Sequence, residues 1–321
     1  MMLEKLTGAW RARRVLLIGG PDAQNLYTQT LLDALGARCA RIPPDADAHT
    51  LNRAMQQGRV SAVIVPSAHA LRETDDLFDH LHALNLILCE TREAGIPLCI
   101  LCSHADVYAD GSAWPVQENA LVGGRTREGL IQSILQLYAD GMSRALMGDA
   151  VASLICRHAP CLGSNHESVA QYAAWCRAIL RDEQPGIEHP GAQGVFFHPL
   201  DAALGALCLG AKYFESDSGC TGCFNIAPAA ENLCANRSAY SFLAAQAGAS
   251  RAAAEAYPPR APSPAVLCGA KLKQLCGYTP ILTAKDALSF FMEHERAHAV
   301  SEAAAELKRQ EQAESFLEKM K

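Results

Sequence analysis

Residues 14–41 read RVLLIGGPDAQNLYTQTLLDALGARCAR. Val15 to Ile18 is the apolar run of a buried strand, Gly19-Gly20 supply a turn, and Leu26, Leu31, Leu32 and Leu35 recur at helical spacing before a second strand starts at Ala37. The pattern predicts the first βαβ unit of a parallel sheet. A turn of this kind that holds a dinucleotide needs glycine at three places: to make the turn, to let the backbone reach the pyrophosphate, and to let helix pack close on strand. Counted at GxxGxxG spacing from Gly19, the second place holds Asp22 and the third Asn25. An anion and a β-carbon therefore stand where phosphate should approach.

Outward from this unit, strand and helix keep alternating. Leu51 to Gln57 reads as a short helix, Ser61 to Pro66 as a strand buried on both faces, and Asp75 to Glu93 as a long helix with Leu77, Leu81, Leu84, Leu88 and Cys89 on one side. A buried strand at Pro97 to Cys102, a helix at Glu128 to Asp140 and a strand at Ala150 to Cys156 follow. This alternation argues for an α/β fold with a doubly wound parallel Rossmann sheet. Beyond residue 160 the elements are irregular and separated by Pro- and Gly-bearing loops, with a stiff connector at Pro258 to Pro264. Residues 161–285 are therefore assigned to a smaller C-terminal α+β lobe, 1–160 to the Rossmann-type domain, to which later segments return, and 286–321 to a C-terminal helix or tail. That last stretch has sparse apolar positions and many charges, which predicts a protruding or solvated helix.

The bulk numbers exclude several classes. Charged residues are 19% and apolar residues 50% of the 321, as in a globular chain with a sizeable core. A formal charge of −6, with RARR at Arg11 to Arg14 as the longest basic run, gives no footprint for nucleic acid. No apolar stretch approaches the ~18 residues of a membrane span, and MMLEKLTGAW has no apolar signal core, so the expectation is a soluble, cytoplasmic protein with no membrane partner. The 13 cysteines are scattered and odd in number, unlike a disulfide framework. Of two CxxC pairs, Cys99/Cys102 lies in a strand, where residues three apart point to opposite faces and chelate poorly. The other, Cys220/Cys223, sits on a turn and leaves a metal or redox role open as a third reading, and no metal site is assigned.

Further landmarks fall in a recognisable order. VLLIGG, Asn85 in LHALNLILCE, SHADVY, LICRHAPCLG, FFHPLDAALGALCLGA, CFNIAP and LKQLCGYTP occur in that sequence. In this order they resemble the extended short-chain dehydrogenase/reductase family over roughly residues 14–293, in particular its NAD-dependent nucleotide-sugar epimerases and 4,6-dehydratases, the CDP-glucose 4,6-dehydratases being the nearest type. The resemblance implies NAD or NADP as cofactor, a nucleotide-sugar as small-molecule partner, and a homodimer formed through the helices at Asp75 to Glu93 and Glu128 to Asp140. It also implies a Tyr base, a Lys four residues later that lowers the Tyr pKa, and a Ser or Thr on the reacting hydroxyl. A phenol of pKa about 10 needs such a cation nearby to act as base at neutral pH.

Matched residue by residue, these parts are incomplete. The Ser/Thr position holds His104, with Ser103 beside it, and the dehydratases' Asp-Glu pair becomes Ala105 and Asp106. The Tyr and Lys positions hold Gly124 and Glu128, or Gly123 and Arg127 in the neighbouring register, and no tyrosine lies between Tyr108 and Tyr138. The positions toward a cofactor are Gly19, Gly20, Asp22, Asn25, Arg41 at the second strand's tip, and Asn85. Arg157 is the candidate contact for a substrate phosphate or carboxylate. His198 and Asp201 either touch substrate or cap and buttress the lobe. Two main readings follow: a degenerate member that binds a nucleotide or nucleotide-sugar without hydride transfer, and an active epimerase or dehydratase in which Ser103, His104, Asp106 and Tyr108 form a rearranged catalytic site.

Overall fold

The computed structural model describes residues 2–66, 76–109, 115–124, 126–147, 151–163, 167–215, 221–249, 254–256 and 266–321. A leading helix, α1 (Met2–Trp10), is followed by β1 (Arg14–Ile18), α2 (Ala23–Ala34), β2 (Arg38–Ile42), α3 (Ala48–Gln56), β3 (Val60–Val65), α4 (Leu77–Glu93), β4 (Leu98–His104), α5 (Arg127–Met142) and β5 (Ala152–His158). Then come α6 (Glu167–Leu180), β6 (Gly186–Glu188), β7 (Gln193–Val195), α7 (Pro199–Glu215), β8 (Gly222–Ile226), β9 (Leu233–Ala235), α8 (Asn236–Ala247), β10 (Ala254–Ala256), α9 (Ala270–Cys276), α10 (Ala284–Val300) and α11 (Glu302–Lys319). Short polar side chains start the helices: Asp22, Asp47, Asp76 and Thr126 cap α2, α3, α4 and α5 by accepting free backbone N–H groups.

Six strands form one parallel sheet in the order β2-β1-β3-β4-β5-β8. Order reverses between β1 and β3, so the crevice in which such sheets bind ligands opens at the C-terminal ends of those strands. The usual dinucleotide-binding order, 3-2-1-4-5-6, has a further strand outside β2. Here the chain passes from β2 through α3 to β3, and among the described residues β2 is an edge.

Alternation along the strands divides the core in two. Val15 and Leu17 pack with Trp10 of α1, Leu31 of α2 and Leu204 of α7, whereas Leu16 and Ile18 pack with Leu51, Leu84 and Leu135 from α3, α4 and α5. Cys99 belongs to the second of these layers and Cys102 to the first, so the strand separates that pair as its spacing requires. Cys220 lies outside the described residues, and so does the Pro258 to Pro264 connector. The Trp10 indole donates to Leu207 O at 3.0 Å and fills the space a side chain at Gly210 would need, which anchors α1 on α7.

The smaller lobe has its own core of Tyr172, Trp175, Phe196, Tyr240 and Leu243, closed by Phe291 and Met292 of α10. β8 lies within this stretch of chain and returns to the main sheet beside β5. The C-terminal region departs from the sequence expectation of a protruding or solvated helix. Ser301, in extended backbone, ends α10 and caps α11 by accepting from Ala304 N at 3.1 Å. The two helices run antiparallel, with Lys319 2.9 Å from Asp286, and α11 buries Ala305, Gln312, Ala313 and Phe316 against the body. Tyr27 of α2 donates to Gln312 at 2.6 Å, and Gln312 in turn donates to Phe290 O at 2.8 Å.

Candidate functional site: a polar-filled crevice at the sheet's C-terminal edge

At the first βα turn the N-terminus of α2 already has an anion. Asp22 accepts from the backbone N–H of Asn25 at 2.9 Å and from the Asn25 side-chain amide at 2.6 Å. Free N–H groups and the dipole at a helix N-terminus are what attract phosphate in folds of this type. Here the chain's own carboxylate takes that place. Asn25 is fully buried, and its amide occupies the space over Gly19 that a β-carbon would need. Gly19 is thus required by Asn25 rather than by a ligand, while the space beside Gly20 is open.

Beside this turn, side chains reach across from the start of α2 to the end of β5. The Gln24 amide lies 2.7 Å from His158 Nε2, and His158 Nδ1 lies 2.8 Å from Ala159 O. The arrangement suits Nδ1 donating to that carbonyl while Nε2 accepts from Gln24. His104 stacks edge-on against His158 with ring centroids 5.0 Å apart. Both imidazoles are buried.

Next to them, β4, β5, β8 and α5 enclose a network of hydrogen bonds. Ser103 donates to Gln132 at 3.2 Å and accepts from Gln136. Arg157 donates to Gln136 Oε1 at 2.7 Å, to Tyr108 OH at 3.0 Å and to Glu118 O at 3.1 Å. Tyr108 OH donates to Asn225 at 2.6 Å, and Asn225 N donates to the Glu118 carboxylate at 2.9 Å. Burial pushes the Tyr108 phenol above its ordinary value, against the lowering effect of the Arg157 guanidinium. The hydroxyl that the sequence offers as a base is therefore held protonated and committed to two internal partners. Arg157 lies at the strand end that the sequence assigns to substrate, yet its Nε and Nη1 go to neutral oxygens of this chain.

The start of α5 is where the family resemblance places its Tyr and Lys. Gly124 has φ +67, and a β-carbon there would overlap the backbone of Gly129 and Leu130. No L-side chain fits this position. One turn into the helix, Gly129 lies against Asp106 O so closely that it too has no room for a β-carbon. α5 approaches β4 on small and amide residues, Gly129, Gln132, Ser133 and Gln136.

The remaining candidates are engaged in other internal contacts. His198 accepts from Leu200 N at 3.2 Å as a cap of α7, and burial lowers its pKa to about 3, so it is neutral. Asp201 accepts from Ile281 N at 2.8 Å and Leu282 N at 3.0 Å, fastening the segment that leads into α10. Burial pushes its carboxyl up to about 7, against these two bonds. Asn85 accepts from Tyr138 at 2.6 Å and joins α4 to α5, away from the turn. Arg41 is exposed at the tip of β2. Gln24, Gln132, Gln136, His158 and Glu118 went unnoticed in the sequence, where the available signal was amide and imidazole groups on faces that periodicity marks as buried.

The fold is similar to that of solved UDP-sugar 4-epimerases and of a dTDP-glucose 4,6-dehydratase. Similar solved structures include a UDP-glucose 4-epimerase from Thermotoga maritima with UDP-glucose (TM-score 0.73, 14% identity, 89% of this chain and 99% of that one). Epimerase Mth375 from Methanothermobacter thermautotrophicus matches at TM-score 0.74 and 14% identity over 91% of this chain and 94% of its own. A dTDP-glucose 4,6-dehydratase from Streptomyces venezuelae, solved with NAD and TYD bound, matches at TM-score 0.71 and 14% identity over 91% and 99%. No family model matches the chain, and no curated protein does.

Proposed function

We propose that this protein retains the epimerase/dehydratase frame as a nucleotide- or nucleotide-sugar-binding protein and has lost hydride transfer. The observation that carries this reading is the pairing of Asp22 with Asn25 at the N-terminus of α2, which sets a carboxylate and a buried amide where a dinucleotide pyrophosphate would bind. NAD or NADP does not fit that turn. Gly124, where no base can be carried, supports the same reading from the other side of the crevice. The route left for a ligand is toward β5, where Arg157 Nη2 makes no hydrogen bond among the described residues and can meet a phosphate. Similar structures hold UDP-glucose, NAD or NADPH, so the ligand class is sought there. Calorimetry with CDP- and UDP-sugars tests the reading: saturable binding of a nucleotide-sugar without a dinucleotide supports it, and NAD(P) released in stoichiometric amount from denatured purified protein contradicts it in favour of a rearranged active site.

The protein also works as a homodimer in this proposal. Phe78 on α4 and Leu130 and Leu137 on α5 are exposed at 76%, 49% and 62% on neighbouring helices, an apolar face that a second copy would cover. No helix among the described residues is long and apolar enough to cross a membrane, which leaves a membrane-embedded helix out of account for that face.

A further inference from the structure

The edge of the sheet at β2 carries a feature that the crevice does not use. Arg38 N donates to Arg13 O at 2.7 Å and Ile42 O accepts from Gly19 N at 3.0 Å, so Arg38, Ala40 and Ile42 turn their backbone groups toward β1. By the alternation of a strand, Cys39 and Arg41 turn theirs outward, to the side where the usual dinucleotide-binding order has another strand. Among the described residues no strand pairs there. The same edge presents one exposed arginine on each face, Arg38 and Arg41. Arg14 stands in register beside Arg38, and the Arg11 side chain lies over Gly36, which leads into the strand. None of these four arginines makes an ion pair among the described residues.

We propose that the β2 edge is a docking site for an extended acidic segment of a partner protein, which adds to the sheet as a strand. Main-chain bonds to Cys39 and Arg41 would give the affinity, and carboxylates on either face of the added strand would meet Arg38 and Arg41. Charge selects the occupant. Pairing β2 of one copy antiparallel with β2 of another would put both copies' Arg41 on one face, which disfavours self-association by this edge. An anionic membrane surface is disfavoured because β2 itself carries no exposed large apolar side chain. Nucleic acid is disfavoured by the formal charge of −6 and by the burial of Trp10 and Tyr27, the aromatic rings nearest these arginines in the sequence.

The test uses the full chain and a labelled peptide, acetyl-TEETEET-amide, whose carboxylates fall on both faces of a strand, followed by fluorescence anisotropy and by hydrogen exchange of the Cys39 and Arg41 amides. The expected result is saturable binding below about 1 mM, slowed exchange at those two amides, and at least about ten-fold weaker binding by Arg38→Glu/Arg41→Glu. Both positions are exposed, and circular dichroism of the double variant checks that it folds. A peptide N-methylated at alternate amides should lose binding. Equal binding by the methylated peptide or by the double variant, or no binding by the parent peptide, would overturn the proposal and leave the arginines as guards against edge-to-edge aggregation.

Discussion

Tyr108 shows how one side chain's surroundings decide its role. Its hydroxyl donates to Asn225 and accepts from Arg157, so removing it strands a buried amide and a buried guanidinium donor. Tyr108→Phe should therefore destabilise the fold by about 1–3 kcal/mol, read by urea denaturation. A tyrosine poised only for catalysis would leave stability unchanged. At Gly124 the backbone alone forbids a side chain, and Gly124→Ala should cost about 1–3 kcal/mol or more in the same assay. His198 and His294 are neutral because burial lowers their pKa values to about 3 and about 4. Since both lie below the unfolded value near 6.5, unfolding takes up protons, and these two groups subtract stability as pH falls through 6.5. Asp201, raised to about 7, runs the opposite way. Imidazole NMR shifts should accordingly show His198 and His294 still neutral at pH 5; titration of either near 6.5 would contradict the burial argument. At this scale the sequence was informative about what was missing, the second and third glycines and the Tyr and Lys. It named Asp22 and Asn25 at the two glycine places but not the bond between them, nor Gln24 reaching His158, because no local spacing encodes such contacts.

Among the elements, the strands were the most legible. Runs such as LCILC and SAVIV sit between helices on both faces, and burial on two sides demands continuous apolar sequence. The short strands β6, β9 and β10 have three residues each and no periodicity to read. α11 misled for a different reason. Its buried stripe is Ala305, Arg309, Gln312, Ala313 and Phe316, where small and polar residues replace the large apolar ones that a hydrophobic pattern detects. Phe316 is the anchor of that stripe, fully buried against the core shared with α2 and α7. Phe316→Ala should lower stability by about 3–5 kcal/mol in denaturant titration, whereas a solvated tail would tolerate it within about 0.5 kcal/mol.

For the whole molecule, sheet order and surface polarity set the expectations. That the sheet is parallel followed from the alternation of strands and helices. The open edge at β2 did not, since strand order is a property of crossovers rather than of composition. The exposed face of α4 and α5 predicts that sedimentation shows a dimer, and that Leu137→Glu shifts it to monomer without loss of secondary structure. A monomer at all concentrations for the parent chain would remove the dimer from the account. In the proposed reading, Asp22 and Asn25 fill the seat of a dinucleotide pyrophosphate from within. Calorimetric titration of the purified protein with NAD and NADP tests it most directly: no saturable heat up to about 1 mM is the predicted result, and micromolar binding of either dinucleotide would contradict it.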